Sequence, residues 1–351
     1  MSQVPAHSPI EYVHSKNFPE LLRRLKISLA VTTYQAQRLL VFSPSTPEKM
    51  FMLMRVFDRP TGLAIGTDRM AMCAKNTVWF FHPAGELHDL EGNKLPYDLC
   101  LTPHKAYVTG DFSGHEMAFI NDALHIVNTR FSCICTLDEK YSFQPIWHPK
   151  FISEIAPEDR CHLSGLAVDA SGIRYVTALG ETNTKEGWRP GKADGGIVID
   201  YRTNEIVARN LSMPHSPRLY AGQLWVLDSG RGELLTIDPS TGQRQVRGRF
   251  QGFLRGLAFY ERFAFVGLSK IREKKTFGNL PIESMYPEFE CAIYAIDLQN
   301  SSQYAFMKFN RGIEELFDIQ ILPGVQNPHV IGMEEPTVDG VFVLPAADKT
   351  A

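Results

Sequence analysis

The sequence predicts an all-β fold: a six-bladed β-propeller with four-stranded blades, a short N-terminal helix, and a last blade closed by N-terminal strands. Three observations predict it. The stretches RPTGLAIGTDRMAMCA (59–74), HLSGLAVDASGIRYVTA (162–178) and FLRGLAFYERFAFVGLS (253–269) repeat one pattern: a Gly-Leu-Ala start, a polar turn, then a second apolar strand. Weaker copies fill the gaps, GHEMAFINDALHIVNT (114–129), HSPRLYAGQLWVLDSG (215–230) and EELFDIQILPG (314–324). The six starts fall near residues 62, 116, 165, 217, 256 and 317, so the step is roughly 40–60 residues, the size of a propeller blade.

The segments between these hairpins complete the blades. GGIVIDYRTNEIVARNL (195–211) turns at Arg-Thr-Asn-Glu, and GELLTIDPSTGQRQVRGRF (232–250) turns at Asp-Pro-Ser-Thr-Gly. Proline presets φ and glycine accepts positive φ, so both are turn sequences with a mechanism. Each unit is therefore two hairpins, and it buries both faces only by packing against neighbours around a ring. Helical patterns of about 10–15 residues between strands are missing, which argues against a parallel α/β fold. SLAVTTYQAQRLLVFSP (28–44) and KMFMLMRVF (49–57) precede the first full blade and are expected to join the strand begun near 317. Residues 1–27 form an N-terminal segment whose one helix is NFPELLRRLKI (17–27), with Asn17 as cap, Pro19 in the first turn and Leu21, Leu22 and Leu25 on one side. Residues 28–348 form the propeller domain, ending in a strand at TVDGVFVLP (337–345).

Composition narrows the class of function. The chain is 44% hydrophobic and 21% charged, ordinary for a globular protein, and its formal charge of −3 speaks against nucleic acid as a partner. No apolar run approaches the roughly 18 residues a membrane span needs, and the N-terminus lacks the basic-then-apolar order of a signal peptide. A cytoplasmic location is expected. Cys73, Cys100, Cys133, Cys135, Cys161 and Cys291 sit inside strand-like runs. Cys133 and Cys135 share a strand face, which permits a metal or redox pair, but two small buried side chains are the simpler reading.

In a propeller the innermost strand of each blade lines the channel, so residues just before the six starts converge at one mouth. These include Arg59 and Thr61, Asp111, His115 and Glu116, His162 and Ser164, His215 and Arg218, Arg255, and Glu314, Glu315 and Asp318. His115, His162 and His215 occur in three consecutive units. Three neutral imidazoles at an axis suit a divalent transition metal, zinc or iron foremost, with an open position for water or substrate. Glu116, Glu315 or Asp318 supplies a further ligand or a general base, and Glu314 is another carboxylate within reach. Arg218, Arg255 and Arg59 bind an anionic substrate. Against this, a histidine before a strand is commonly a turn residue, and the arginines can simply neutralise the carboxylates. Asp200 and Asp228 read as turn residues, and His82, His88, His104, His125, His148 and His329 as structural. The nucleophile elbow, the phosphate-binding loop and the zinc-protease motif are all absent.

EDRCHLSGLA (158–167), GGIVID (195–200), SMPHSPRLY (212–220), LWVLDSG (224–230) and FLRGLAF (253–259), with FDRPTGLA (57–64) and YVTGD (107–111), resemble a bacterial family of uncharacterised propeller proteins, over roughly residues 25–325. The resemblance implies the propeller fold and no established reaction; asparagine is common in that family where this chain has Ser164, which speaks against a supporting role for Ser164 at the site. The function expected from the residues is a metal-dependent enzyme acting on a small anionic organic molecule at the channel mouth, by hydrolysis, lyase or cyclisation chemistry, or oxidation, as in specialised metabolism. The alternatives are a non-catalytic interaction platform, using loops 84–98, 136–160 and 271–290, and a metal-free ligand-binding protein or acid–base enzyme. KIREKK (270–275) reads as a solvated loop.

Overall fold

The hairpin at 163–178 shows why the chain forms this architecture. Two runs, LSGLAVD and GIRYVTA, flank an Ala-Ser turn, and nearly every residue of both is buried, so one strand folds back on the next with both faces covered. Six such sheets are present in the computed structural model, which describes residues 9–85, 93–271, 278–334 and 336–343. In chain order, β1 (Glu11–His14) and α1 (Asn17–Leu25) precede β2 (Ile27–Thr33), β3 (Arg38–Thr46) and β4 (Lys49–Val56). The first blade is β5 (Leu63–Ile65), β6 (Met70–Cys73), β7 (Thr77–Pro83) and β8 (Leu99–Val108). The second is β9 (Gly114–Ile120), β10 (Ala123–Asn128), β11 (Cys133–Thr136) and β12 (Gln144–Trp147). The third is β13 (Leu163–Asp169), β14 (Gly172–Ala178), β15 (Gly196–Asp200) and β16 (Ile206–Leu211). The fourth is β17 (Pro214–Tyr220), β18 (Gln223–Asp228), β19 (Glu233–Ile237) and β20 (Arg244–Arg249). The fifth is β21 (Phe253–Tyr260), β22 (Phe263–Ser269), β23 (Ala292–Asp297) and β24 (Ser302–Arg311).

The ring closes as the sequence predicts. β25 (Asp318–Pro323) is the innermost strand of a sixth blade whose other three strands are β2, β3 and β4. This joins the two ends of the chain through one sheet. Two blades gain an extra outer strand: β1 pairs antiparallel with β24, and β26 (Pro328–Val330) pairs parallel with β8. Apolar side chains fill the seams between neighbouring blades, as around Ala167, Val198 and Val226 between the third and fourth. The helix seals the seam between the fifth and sixth blades with Phe18, Leu21, Leu22 and Leu25.

Local expectations need correction at two places. Asn17 is the first helical residue rather than the cap, and its side-chain amide donates to the Tyr304 carbonyl at 2.6 Å. The expected terminal strand at 337–345 is instead a short 3-10 turn over Pro336–Gly340; residues 344 and 345 lie outside the described residues. Among the described residues this segment pairs with none of the six sheets. His88 and residues 272–275 of the basic run also lie outside the described residues. All six cysteines are buried and free, and burial raises the Cys135 thiol to about 12. Among the described residues no helix is long and apolar enough to cross a membrane.

Candidate functional site at the channel mouth

The hairpin registers reveal how the inner strands address the axis. Counting back from each turn places Thr61, His115, Ser164, His215 and Arg255 at one position, with Gly62, Glu116, Gly165, Ser216 and Gly256 next. In the sixth blade Asp318 takes the position of Glu116, because both carboxylates accept a backbone N–H from the Leu of the next blade's Gly-Leu-Ala. Asp318 Oδ2 lies 2.8 Å from Leu63 N, and Glu116 Oε2 lies 3.2 Å from Leu166 N. Glycine thus alternates with a polar residue around the ring. The reason is steric: a Cβ on Gly62 would lie 2.3 Å from His115 O, and one on Gly165 would lie 2.4 Å from Pro217 Cδ. Strong and weak sequence copies alternate because glycine blades alternate with blades whose side chains cross the channel.

His162 does not share the register of the other two histidines. It lies two residues ahead, matching Met213, and has φ 52°, close to the 49° of Arg59 and Met213. Even so, the three rings come together. The His115 ring centroid lies 5.2 Å from that of His215 and 5.9 Å from that of His162. Arg255 joins them, with Nη2 3.3 Å from His115 Nε2 and its guanidinium 4.0 Å from the Phe317 ring centre. Backbone bulges aim these side chains: the register slips between His215 and Arg218 and between Leu254 and Leu257. Behind the site, Trp188, Met213 and Phe253 pack with Leu179, Leu280 and Ile282.

Each ring has a defined hydrogen-bonding state. Arginine only donates, so His115 Nε2 accepts and its Nδ1 carries the proton. His215 Nδ1 lies 2.8 Å from the Met213 carbonyl and donates to it, leaving a lone pair on Nε2. His162 Nδ1 donates to Asp159 at 2.9 Å, and Asp159 also accepts from Trp188 Nε1 at 3.0 Å. His115 Nδ1 and His215 Nε2 are buried with no hydrogen-bond partner among the described residues. Burial, with the Arg255 charge, holds the pKa of both rings well below the usual histidine value. Arg255 is only 5% exposed, and no carboxylate among the described residues lies within ion-pairing distance of it. Burial lowers its pKa, opposed at longer range by Glu315, Glu116 and Asp318.

The other expected site residues divide between channel and rim. Glu116, Arg218 and Asp318 form a network across the channel. Arg218 Nη1 lies 2.9 Å from Glu116 Oε2, Nη2 lies 3.9 Å from Asp318 Oδ1, and Nε donates to Leu257 O at 3.0 Å. Burial works against the Arg218 charge, but the two carboxylates outweigh it and raise its pKa. Burial and the nearby Glu116 push the Asp318 carboxyl upward. These three residues satisfy one another and clamp neighbouring blades. Arg59 sits at the rim, 3.4 Å from the Tyr34 hydroxyl and 3.5 Å from Asp58. Glu314 and Glu315 are partly exposed, and Glu315 reaches Arg255 through its field.

The fit to a metal is partial. The ring spacings are close to the ~5 Å expected for imidazoles sharing a zinc ion. Their nitrogens are not presented together, however: His115 turns Nε2 to Arg255, and a guanidinium beside a ligand repels a dication. Among the described residues no three histidine, cysteine or carboxylate side chains form a metal-binding group.

Sequence reasoning missed Asp159, Trp188 and Phe317. Asp159 was legible as an acid three residues before His162, and Phe317 as the aromatic next to Asp318. Trp188 lies in a polar loop, and only the fold brings its ring 4.5 Å from that of His162.

Two solved structures share the fold. One, a nidogen/laminin complex, has 12% identity and a TM-score of 0.50 over 85% of this chain and 99% of that one. The other, a protein of unknown function from Bacteroides caccae, has 7% identity and a TM-score of 0.51 over 84% and 98%. At such identity the likeness concerns the fold alone. No curated protein matches the sequence. A family model described as domain of unknown function (DUF4915) matches residues 16–331, nearly the whole propeller, and the chain belongs to that family.

Proposed function

We propose that the chain is an enzyme that binds a small organic anion at the channel mouth and acts on it with its histidines. The observation that carries this reading is Arg255. A buried guanidinium normally has a carboxylate against it, since an uncompensated charge in low dielectric is expensive. Here its direct contacts are a neutral imidazole and a phenyl ring. A ligand carboxylate or phosphate completes it through charge-assisted hydrogen bonds. His162, oriented by Asp159, is the acid–base group, and its partial exposure gives it access to substrate. Calorimetric titration with a panel of small carboxylates and inorganic phosphate tests this. Binding that is lost in Arg255→Met supports the reading; no binding by the wild type, or equal binding by the variant, overturns it.

A second reading keeps a metal. His162 and His215 both hold Nδ1 against an oxygen acceptor and leave Nε2 with its lone pair, the habit of metal-ligating histidines. In that reading His162 and His215 would hold zinc or iron, His115 would be a third ligand only without its Arg255 contact, and the metal would supply polarisation of the substrate. Metal analysis of untagged protein separates the two. Stoichiometric metal, with melting lowered by a chelator, favours the metal enzyme; metal-free protein that still binds anions favours the first reading.

A further inference from the structure

The buried ring nitrogens at the channel mouth specify more than charge. Arg255 is a donor without a carboxylate against it, and the His115 Nδ1–H, at the opposite edge of its ring from Arg255, is a second donor without a partner among the described residues. The lone pair of His215 Nε2 asks for a hydrogen, and the His215 ring lies 5.2 Å from the His115 ring that Arg255 contacts. Both rings are nine-tenths or more buried. An acceptor such as His215 Nε2 cannot be satisfied by a bare carboxylate, which only accepts.

We infer that the ligand of this site is a hydroxy-carboxylate, its carboxylate held by Arg255 and its hydroxyl donating to His215 Nε2. This rests on the anion-binding reading above and names the substrate class of that site. The tautomers are fixed from behind, since the Met213 carbonyl and the Ser229 hydroxyl, 2.8 Å and 3.0 Å from His215 Nδ1, hold the proton on that side. The ring therefore cannot turn its donor to the ligand without losing these partners. Phe317 and Phe253 pack against the same rings, with centroids 4.8 Å from His115 and 5.7 Å from His215. A phosphate monoester also combines acceptor oxygens with a donating hydroxyl, and the test separates it.

The experiment compares matched pairs on the full chain: lactate against propionate, and glycolate against acetate, with inorganic phosphate as a third arm. A site built to receive a hydroxyl hydrogen rejects the deoxy analogue, so the hydroxy acids are expected to bind at least about tenfold more tightly. Imidazole nitrogen resonances, followed in the same titrations, are expected to show His215 Nε2 unprotonated and shifting only with the hydroxy acids. Equal affinity within each pair, with binding still dependent on Arg255, overturns the hydroxyl inference and leaves the anion site standing. Phosphate binding more tightly than every hydroxy acid also overturns it. Failure of every anion to bind removes both readings. Because ligands rather than variants are changed, misfolding cannot mimic any of these outcomes.

Discussion

The Arg255 guanidinium lies 3.3 Å from His115 Nε2, and this contact joins two blades, the second and the fifth, across the mouth of the channel. A positive charge beside a buried imidazole has a pH consequence. His115 and His215 both have pKa values lowered by burial and by Arg255, so the folded protein refuses protons that the unfolded chain accepts near the ordinary histidine pKa of about 6.5. Their contribution to stability is complete above that value and declines as pH falls below it. Thermal melts between pH 7.5 and about 5 are expected to show a falling Tm, and the double variant H115Q/H215Q a shallower fall. A slope unchanged by the double substitution contradicts the assignment.

The glycine ring makes a steric prediction. Gly165→Ala places a methyl group 2.4 Å from Pro217 Cδ and 2.9 Å from Glu116 Oε2, both nearer than a Cβ can approach without a shift. The variant is expected to lose about 1–3 kcal/mol in urea unfolding. Wild-type stability in G165A shows that the inner strands are not packed at this distance.

The channel network makes an electrostatic one. Arg218→Met strips Glu116 and Asp318 of the cation between them, and both carboxylates are almost fully buried. A loss of roughly 3 kcal/mol or more is expected, because two buried charges are left with backbone and amide donors but no cation between them. Adding Glu116→Gln removes one of the stranded charges and is expected to restore part of that loss. A double variant no more stable than R218M contradicts the network.

The Asp159–His162 contact predicts a separation of binding from turnover. Asp159→Asn no longer offers an anionic acceptor to His162 Nδ1, while Arg255 and His115 are untouched. With a substrate found in the anion panel, kcat is expected to fall by about 100-fold or more, the scale of general acid–base catalysis, with anion affinity nearly unchanged. Unchanged kcat in D159N removes His162 from the acid–base role.

How much of this was legible differs by element. The hairpins were readable because their alternation and turn chemistry are local, and the ring closure followed because β25 otherwise lacks partners. His115 and His215 were readable as equivalents because both precede the same hairpin. His162 was misaligned by two residues because the alignment ran on the Gly-Leu-Ala start, which the two neighbouring copies lack; counted from the turn, it precedes the equivalent position, Ser164. The Glu116–Arg218 bond joins residues 102 positions apart in different blades, so nothing local announced that these candidate catalytic groups satisfy each other. Asn17 shows the opposite failure: a good capping residue was drawn to a tertiary carbonyl instead.

The claim on which the rest depends is that Arg255 and the three imidazoles converge with no carboxylate against the guanidinium. A crystal structure grown with sodium selenate, collected for selenium anomalous scattering, tests it directly. The account predicts an anomalous peak within hydrogen-bonding distance of Arg255, with the three rings around it. Arg255 paired to Glu315 with no peak nearby, or the rings spread beyond about 12 Å, far outside any shared ligand or coordination sphere, would contradict it.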